Sequence, residues 1–128
     1  MCLAKITKKY DTPDMDVRTG YKFLLKGLIT PYRETQLSIE WQKAEETRVS
    51  SYTSGYHVFP TRSAARKALR ILKTLGGHTS SLPLSIWKVE VKGVTYEGFD
   101  GTSMSFAYVD ARIPTIVAQW IRVIPGKV

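Results

Sequence analysis

Asparagine is absent from this 128-residue chain, cysteine occurs once, at Cys2, and histidine twice, at His57 and His78. A single cysteine excludes an intrachain disulfide and suits a reducing compartment. With so few soft ligands, no zinc-type spacing exists and no metal is expected. Acids are scarce too: eleven Asp and Glu stand against nineteen Lys and Arg, a formal net charge of +8. The densest acidic run, Asp11-Thr-Pro-Asp-Met-Asp16, lacks the glycine turn and distal glutamate of a calcium loop and reads as a solvated, turn-rich loop. No apolar run approaches the ~20 residues that span a bilayer, and the first residues carry no secretory apolar core, so a cytoplasmic location and no membrane partner are expected. There is no glycine-rich phosphate loop and no Ser-His-Asp arrangement in a convincing context. No cofactor is implied.

What is present suffices for one folded domain over residues 1–128: 43% of residues are hydrophobic and 11% aromatic, against disorder and in favour of an ordinary core. The chain is organised around 55–77. Gly55 to Phe59 reads as a strand entering a corner, and residues 61–75 as the one convincing helix. At about 100° per residue, Ala64, Ala65, Ala68, Leu69, Ile71, Leu72 and Leu75 fill an arc of roughly 160°. Arg62, Arg66, Lys67, Arg70 and Lys73 fill roughly the opposite 140° with no carboxylate among them. Thr61 is the expected N-cap and Gly76-Gly77 the stop.

Strands account for most of the remainder. Leu3 to Tyr10 reads as a short strand, with Lys5, Lys8 and Lys9 toward solvent. Over Val17 to Lys26, Tyr21, Phe23 and Leu25 share one face while Lys22 and Lys26 point the other way. Thr30 to Arg33 is a proline turn, and 36–49 an irregular, exposed segment. Ile86 to Lys92 alternates, with Trp87, Val89 and Val91 inward, and Val94 to Phe99 follows across Gly93. Asp100-Gly101 is the strongest hairpin signal, with 103–109 returning. Thr115 to Ile124, bracketed by Pro114 and Pro125, is apolar on both faces, as a central covered strand should be. The expected class is α+β: a mainly antiparallel sheet with one amphipathic basic helix packed on it.

A small domain of this charge favours anionic partners: nucleic acid, a nucleotide, or an acidic host protein. The predicted binding set is Thr61, Arg62 and Ser63 at the helix start, where free amides and the positive dipole end meet an anion. Arg66, Lys67, Arg70 and Lys73 continue it along the outer face, with Tyr56 and Tyr52 as stacking partners. The bland alternative is a solvated face that keeps the helix soluble. The enzymatic alternative acts on a nucleotide, with His57 and Tyr32 as reacting groups; against it, a partly buried histidine bonded to a backbone carbonyl or a nearby hydroxyl is the commoner outcome. His78, in a Gly-Thr-Ser loop, is expected to be solvated.

The succession Met1-Cys2-Leu3, Tyr21-Lys22, Pro31-Tyr32-Arg33, Gly55-Tyr56-His57-Val58-Phe59, an alanine-bearing helix and the Trp87 to Val91 strand resembles small uncharacterised proteins of bacteriophages and prophages. These share a Gly-aromatic-His-x-aromatic step before a helix. The resemblance implies a mobile-element origin and a host-cell cytoplasmic setting, and carries no catalytic residue with it. Two weaker likenesses concern enzymes. Ser51-Tyr-Thr-Ser54 with Glu90 or Glu97 resembles the Ser-Thr-Ser and glutamate elements of ADP-ribosyltransferases. Cys2 resembles the N-terminal nucleophile of class II glutamine amidotransferases, but the Asn-Gly oxyanion element of that class has no counterpart in a chain without asparagine.

Overall fold

The structure, a computed structural model, describes residues 3–30, 35–44, 55–75, 83–100 and 113–127. Among these are six strands in one antiparallel sheet and one helix: β1 (Leu3–Asp14), β2 (Arg18–Leu24), β3 (Gln42–Lys43), β4 (Tyr56–Val58), α1 (Arg62–Leu75), β5 (Ser85–Asp100) and β6 (Ile113–Lys127). This is the α+β arrangement that the pattern predicts.

The two long strands form the spine. β5 and β6 pair from Trp87↔Lys127 to Asp100↔Ile113, so residues 101–112 connect neighbouring antiparallel strands. The other edge of β5 is shared: β2 takes residues 85–91 and β1 residues 94–100. The other edge of β6 takes β4 at Ile116–Ala118 and β3 at Trp120–Ile121. Reciprocal backbone bonds between Tyr21 and Phe59, 2.8 and 2.9 Å, then join β4 to β2. The circuit β2–β5–β6–β4 is thereby closed through a single bridge at Tyr21 and Phe59.

Side chains of the sheet sort into two cores on opposite faces. Phe23 and Phe59 pack with Ala64, Ala65, Ala68 and Leu72 of α1, together with Leu84, Ile86 and Ile113. Their neighbours Leu24 and Val58 belong to the other core, with Leu37, Val89, Val91, Val94, Ile116, Ala118, Ile121 and Val123. The two phenyl rings lie 5.2 Å apart, centroid to centroid, beneath the helix. The predicted apolar face of α1 is the buried one. Thr61 caps it: its Oγ1 accepts from the Ala64 amide at 3.1 Å, a contact worth about 1 kcal/mol. Leu75 ends the helix as described; Gly76-Gly77 lie outside the described residues.

Several expectations need correction. The Asp11–Asp16 loop is largely strand, because β1 runs on to Asp14, absorbing irregular register at three points. Lys22 is buried rather than solvated: its Nζ donates to the His57 carbonyl at 2.8 Å, since a four-carbon stem carries the charge to a partner that alternation alone does not foresee. Segment 36–44 is irregular as expected, yet Leu37 is fully buried. Pro114 and Pro125 lie within β6 rather than bracketing it. The segments 86–92 and 94–99 form one strand through Gly93, whose φ is +70°. The turn at 31–33, the Asp100-Gly101 turn and the strand at 103–109 fall on or run into residues outside the described ones.

Gly93 has a consequence for both spine strands. Val91 and Val94 are each fully buried, with two residues between them instead of one. Directly opposite, Ala118 and Ile121 are likewise buried with Gln119 and Trp120 between. Both strands therefore change phase at one crossing, and side chains beyond it exchange faces.

Candidate functional site

The helix presents the predicted cations. Arg62, Ser63, Arg66, Lys67, Arg70 and Lys73 are all exposed, and the first turn contains no acid. Among the described residues, no carboxylate lies within ion-pair distance of Arg62, Arg66, Lys67 or Lys73. Arg62, Arg66 and Arg70 follow one another at i,i+4, where like charges each cost a few tenths of a kcal/mol. Arg62 also stands at the positive end of the helix dipole, where a cation is unfavourable. Only Lys73, in the last turn, complements that dipole. Thr61 spends its hydroxyl on the cap.

The remaining predicted residues do not gather there. Tyr56 is half-buried and packs against the core on the face away from the helix, so it is not a stacking partner for the cationic stripe. His57 is buried, with Nδ1 3.1 Å from the Gly55 carbonyl oxygen; the ring ties the entry of β4 to itself. Tyr32, Tyr52, His78, Cys2 and the Ser51–Ser54 stretch lie outside the described residues. Of the two glutamates likened to a transferase element, Glu90 accepts from Arg122 and Glu97 from Tyr10.

A second surface emerges that sequence reasoning overlooks. Beyond the phase change, register sets Lys92 opposite Trp120 and Glu90 opposite Arg122, while β3 sets Lys43 opposite Trp120. The Lys92 ammonium stands 4.3 Å from the Trp41 ring centroid and 5.3 Å from that of Trp120. The Arg122 guanidinium lies 4.7 Å from the Trp41 centroid, and Lys43 6.0 Å from that of Trp120. Arg122 is oriented by Glu90 Oε1, which accepts from its Nε at 2.8 Å and its Nη2 at 2.6 Å. Both indoles are half-buried and Lys43 is exposed. The available signal was the alternation Lys88, Glu90, Lys92 on β5, but only strand register reveals the tryptophans beside it.

A third cluster is structural. Arg18 Nη2 donates to Asp14 and to the Tyr10 hydroxyl, both at 2.8 Å, and Tyr10 donates in turn to Glu97. This fastens β1 to β2 and β5. The Arg18 hydrogen bond, aided by the Asp16 amide, holds the Asp14 carboxyl below its usual pKa of 3.8, and Asp14 in turn raises that of Arg18. Among the described residues no three His, Cys, Asp or Glu side chains converge as a metal site. No helix among them is long and apolar enough to cross a membrane. Compared with protein-family models, curated proteins and solved structures, the chain matches none of them.

Proposed function

We propose that this is a small binding protein that engages a polyanion (nucleic acid, a nucleotide, or an acidic host protein) through the cationic face of α1. One observation carries the reading: positions 61–75 hold five cations and no carboxylate, and four of the five have no acid in reach among the described residues. A face needed only for solubility is better served by alternating charges, which add i,i+4 attraction where this helix has repulsion. The four cations with no acid in reach lower helix stability and are explained by a ligand that supplies the missing charge. A phage or mobile-element origin, from the sequence resemblance, suits a host component as that ligand.

The test is an electrophoretic shift assay on single- and double-stranded nucleic acid across a salt series. Each phosphate contacted contributes a log–log slope of about −0.7 to −0.9, so several contacts give a steep loss of affinity. Arg66→Glu with Arg70→Glu abolishes that binding. Retention of nucleic-acid binding in the double variant removes the helix from the interface. Absent or salt-insensitive binding eliminates nucleic acid and leaves a nucleotide or the acidic protein, tested by nucleotide titration and by retention on an oligoglutamate column.

A further inference from the structure

We infer that the outer face of β3, β6 and β5 is a second binding surface, a stacking platform for single-stranded nucleic acid. The inference rests on the reading that this chain binds a polyanion, and it names the chemical class. Two indoles, Trp41 and Trp120, lie among Lys43, Lys92 and Arg122, each cation within 6.0 Å of a ring centroid. Among the described residues of the group Glu90, committed to Arg122, is the one acid, so three positive charges against one leave the platform cationic.

The contents of the surface select the ligand. The protein's own cations beside the rings, Lys92 and Arg122 at Trp41 and Lys92 and Lys43 at Trp120, make the surface positive and repel an external cation such as a methylated lysine. Charge complementarity calls for an anion. An acidic peptide would satisfy the charges and leave the half-buried indoles unused. A single strand offers both parts at once, phosphates for Lys43, Lys92 and Arg122, and unpaired bases for the exposed portions of the indoles. A duplex keeps its bases stacked on one another and offers only the phosphates.

Every member but Trp41, which directly precedes β3, stands on a strand. Lys92 and Trp120 are cross-strand partners, as are Glu90 and Arg122, and the inward residues of the same segments, Val89, Val91, Ile121 and Val123, are fully buried in one core. Gly93 sets the phase, and a Cβ there would stand 3.2 Å from Gln119 Cβ and 3.4 Å from the Trp120 ring. A site already ordered loses little entropy on binding.

The experiment titrates the protein with a fluorescein-labelled single-stranded oligothymidine of about 20 nucleotides, room for one or more stacking sites. The matched duplex and an oligoglutamate peptide are run beside it. The expected result is single strand bound about tenfold tighter than duplex, with the protein's indole emission quenched on saturation. Trp41→Leu and Trp120→Leu each weaken single-strand binding about tenfold at unchanged salt slope, because a lost base stack releases no counterion. If either variant fails to fold, the quenching in the wild-type protein decides: saturation without quenching overturns the platform. Equal affinity of folded tryptophan variants and wild type also overturns it; if Arg66→Glu abolishes binding in the same assay, the helix reading stands alone. Preference for oligoglutamate over oligothymidine overturns the platform and points to an acidic protein. Failure to bind any of the three probes overturns the platform and removes nucleic acid and an acidic protein from the helix reading.

Discussion

A Cβ built on Gly55 would lie 2.6 Å from the Ala118 carbonyl oxygen and 3.0 Å from Val117 Cγ1. That is closer than real Cβ atoms approach backbone, so the strand entry must shift for any side chain to be placed there. The next three residues are tied to Ile116–Ala118 by the ladder, which leaves little freedom to move. Gly55→Ala is therefore expected to cost about 1–3 kcal/mol, as overpacking does in well-filled cores, read as a lower urea midpoint. An alanine variant as stable as wild type would refute the close-approach explanation. Sequence inspection picks out Gly55 as the first residue of the organising stretch but not why, since Ala118 is distant along the chain. Lys22 shows the same blindness: alternation turns it outward, and only the fold brings the His57 carbonyl within 2.8 Å of its ammonium.

Elements whose signal is local are the legible ones. Helix α1 could be read because its period of 3.6 places apolar and cationic residues on separate arcs, and the cap, the buried face and the exposed face follow the pattern. Strand β6 could be read because a run apolar on both faces fits a covered position, here between β5 and β3/β4. The tryptophan surface could not, because it is assembled by register between strands far apart in sequence and by a phase change at Gly93 that defeats strict alternation. The cationic stripe permits a prediction in which stability and binding move in opposite directions. Arg66→Glu places a carboxylate four residues from both Arg62 and Arg70, turning two repulsive spacings into attractive ones. A rise in stability of about 0.5–1 kcal/mol follows from such pairs. Polyanion affinity falls in the same variant. Thermal unfolding and the shift assay measured on one preparation check it; a variant less stable than wild type contradicts the view that the stripe is kept at the expense of the helix.

Taken as a whole, the molecule has a closed part and an appended one. Strands β2, β5, β6 and β4 complete a circuit, whereas β1 pairs with β5 alone and is irregular in register along its length. Side-chain ties compensate: Asp14 and Tyr10 both bond Arg18, and Tyr10 bonds Glu97. The Asp14 carboxyl is held below its usual value of 3.8 chiefly by the Arg18 hydrogen bond. Its contribution is then complete above the unfolded-state value, near 4, and is lost as pH falls through the lower folded value. Acid should accordingly loosen β1 before the circuit opens, because proton uptake removes the Arg18–Asp14 tie while the cores beneath the helix and within the sheet are apolar and contain no carboxylate. Amide-exchange protection, corrected for intrinsic rates and compared at about pH 7 and about pH 3, is expected to drop across Lys5–Asp14 and persist across Val89–Val94 and Ile116–Val123. Asp14→Asn, which discards the charge at every pH, should show the loosened β1 already near neutrality. Uniform loss of protection through all strands at acid pH would mean that β1 is an integral part of one cooperative unit, and that Asp14 is not what holds it.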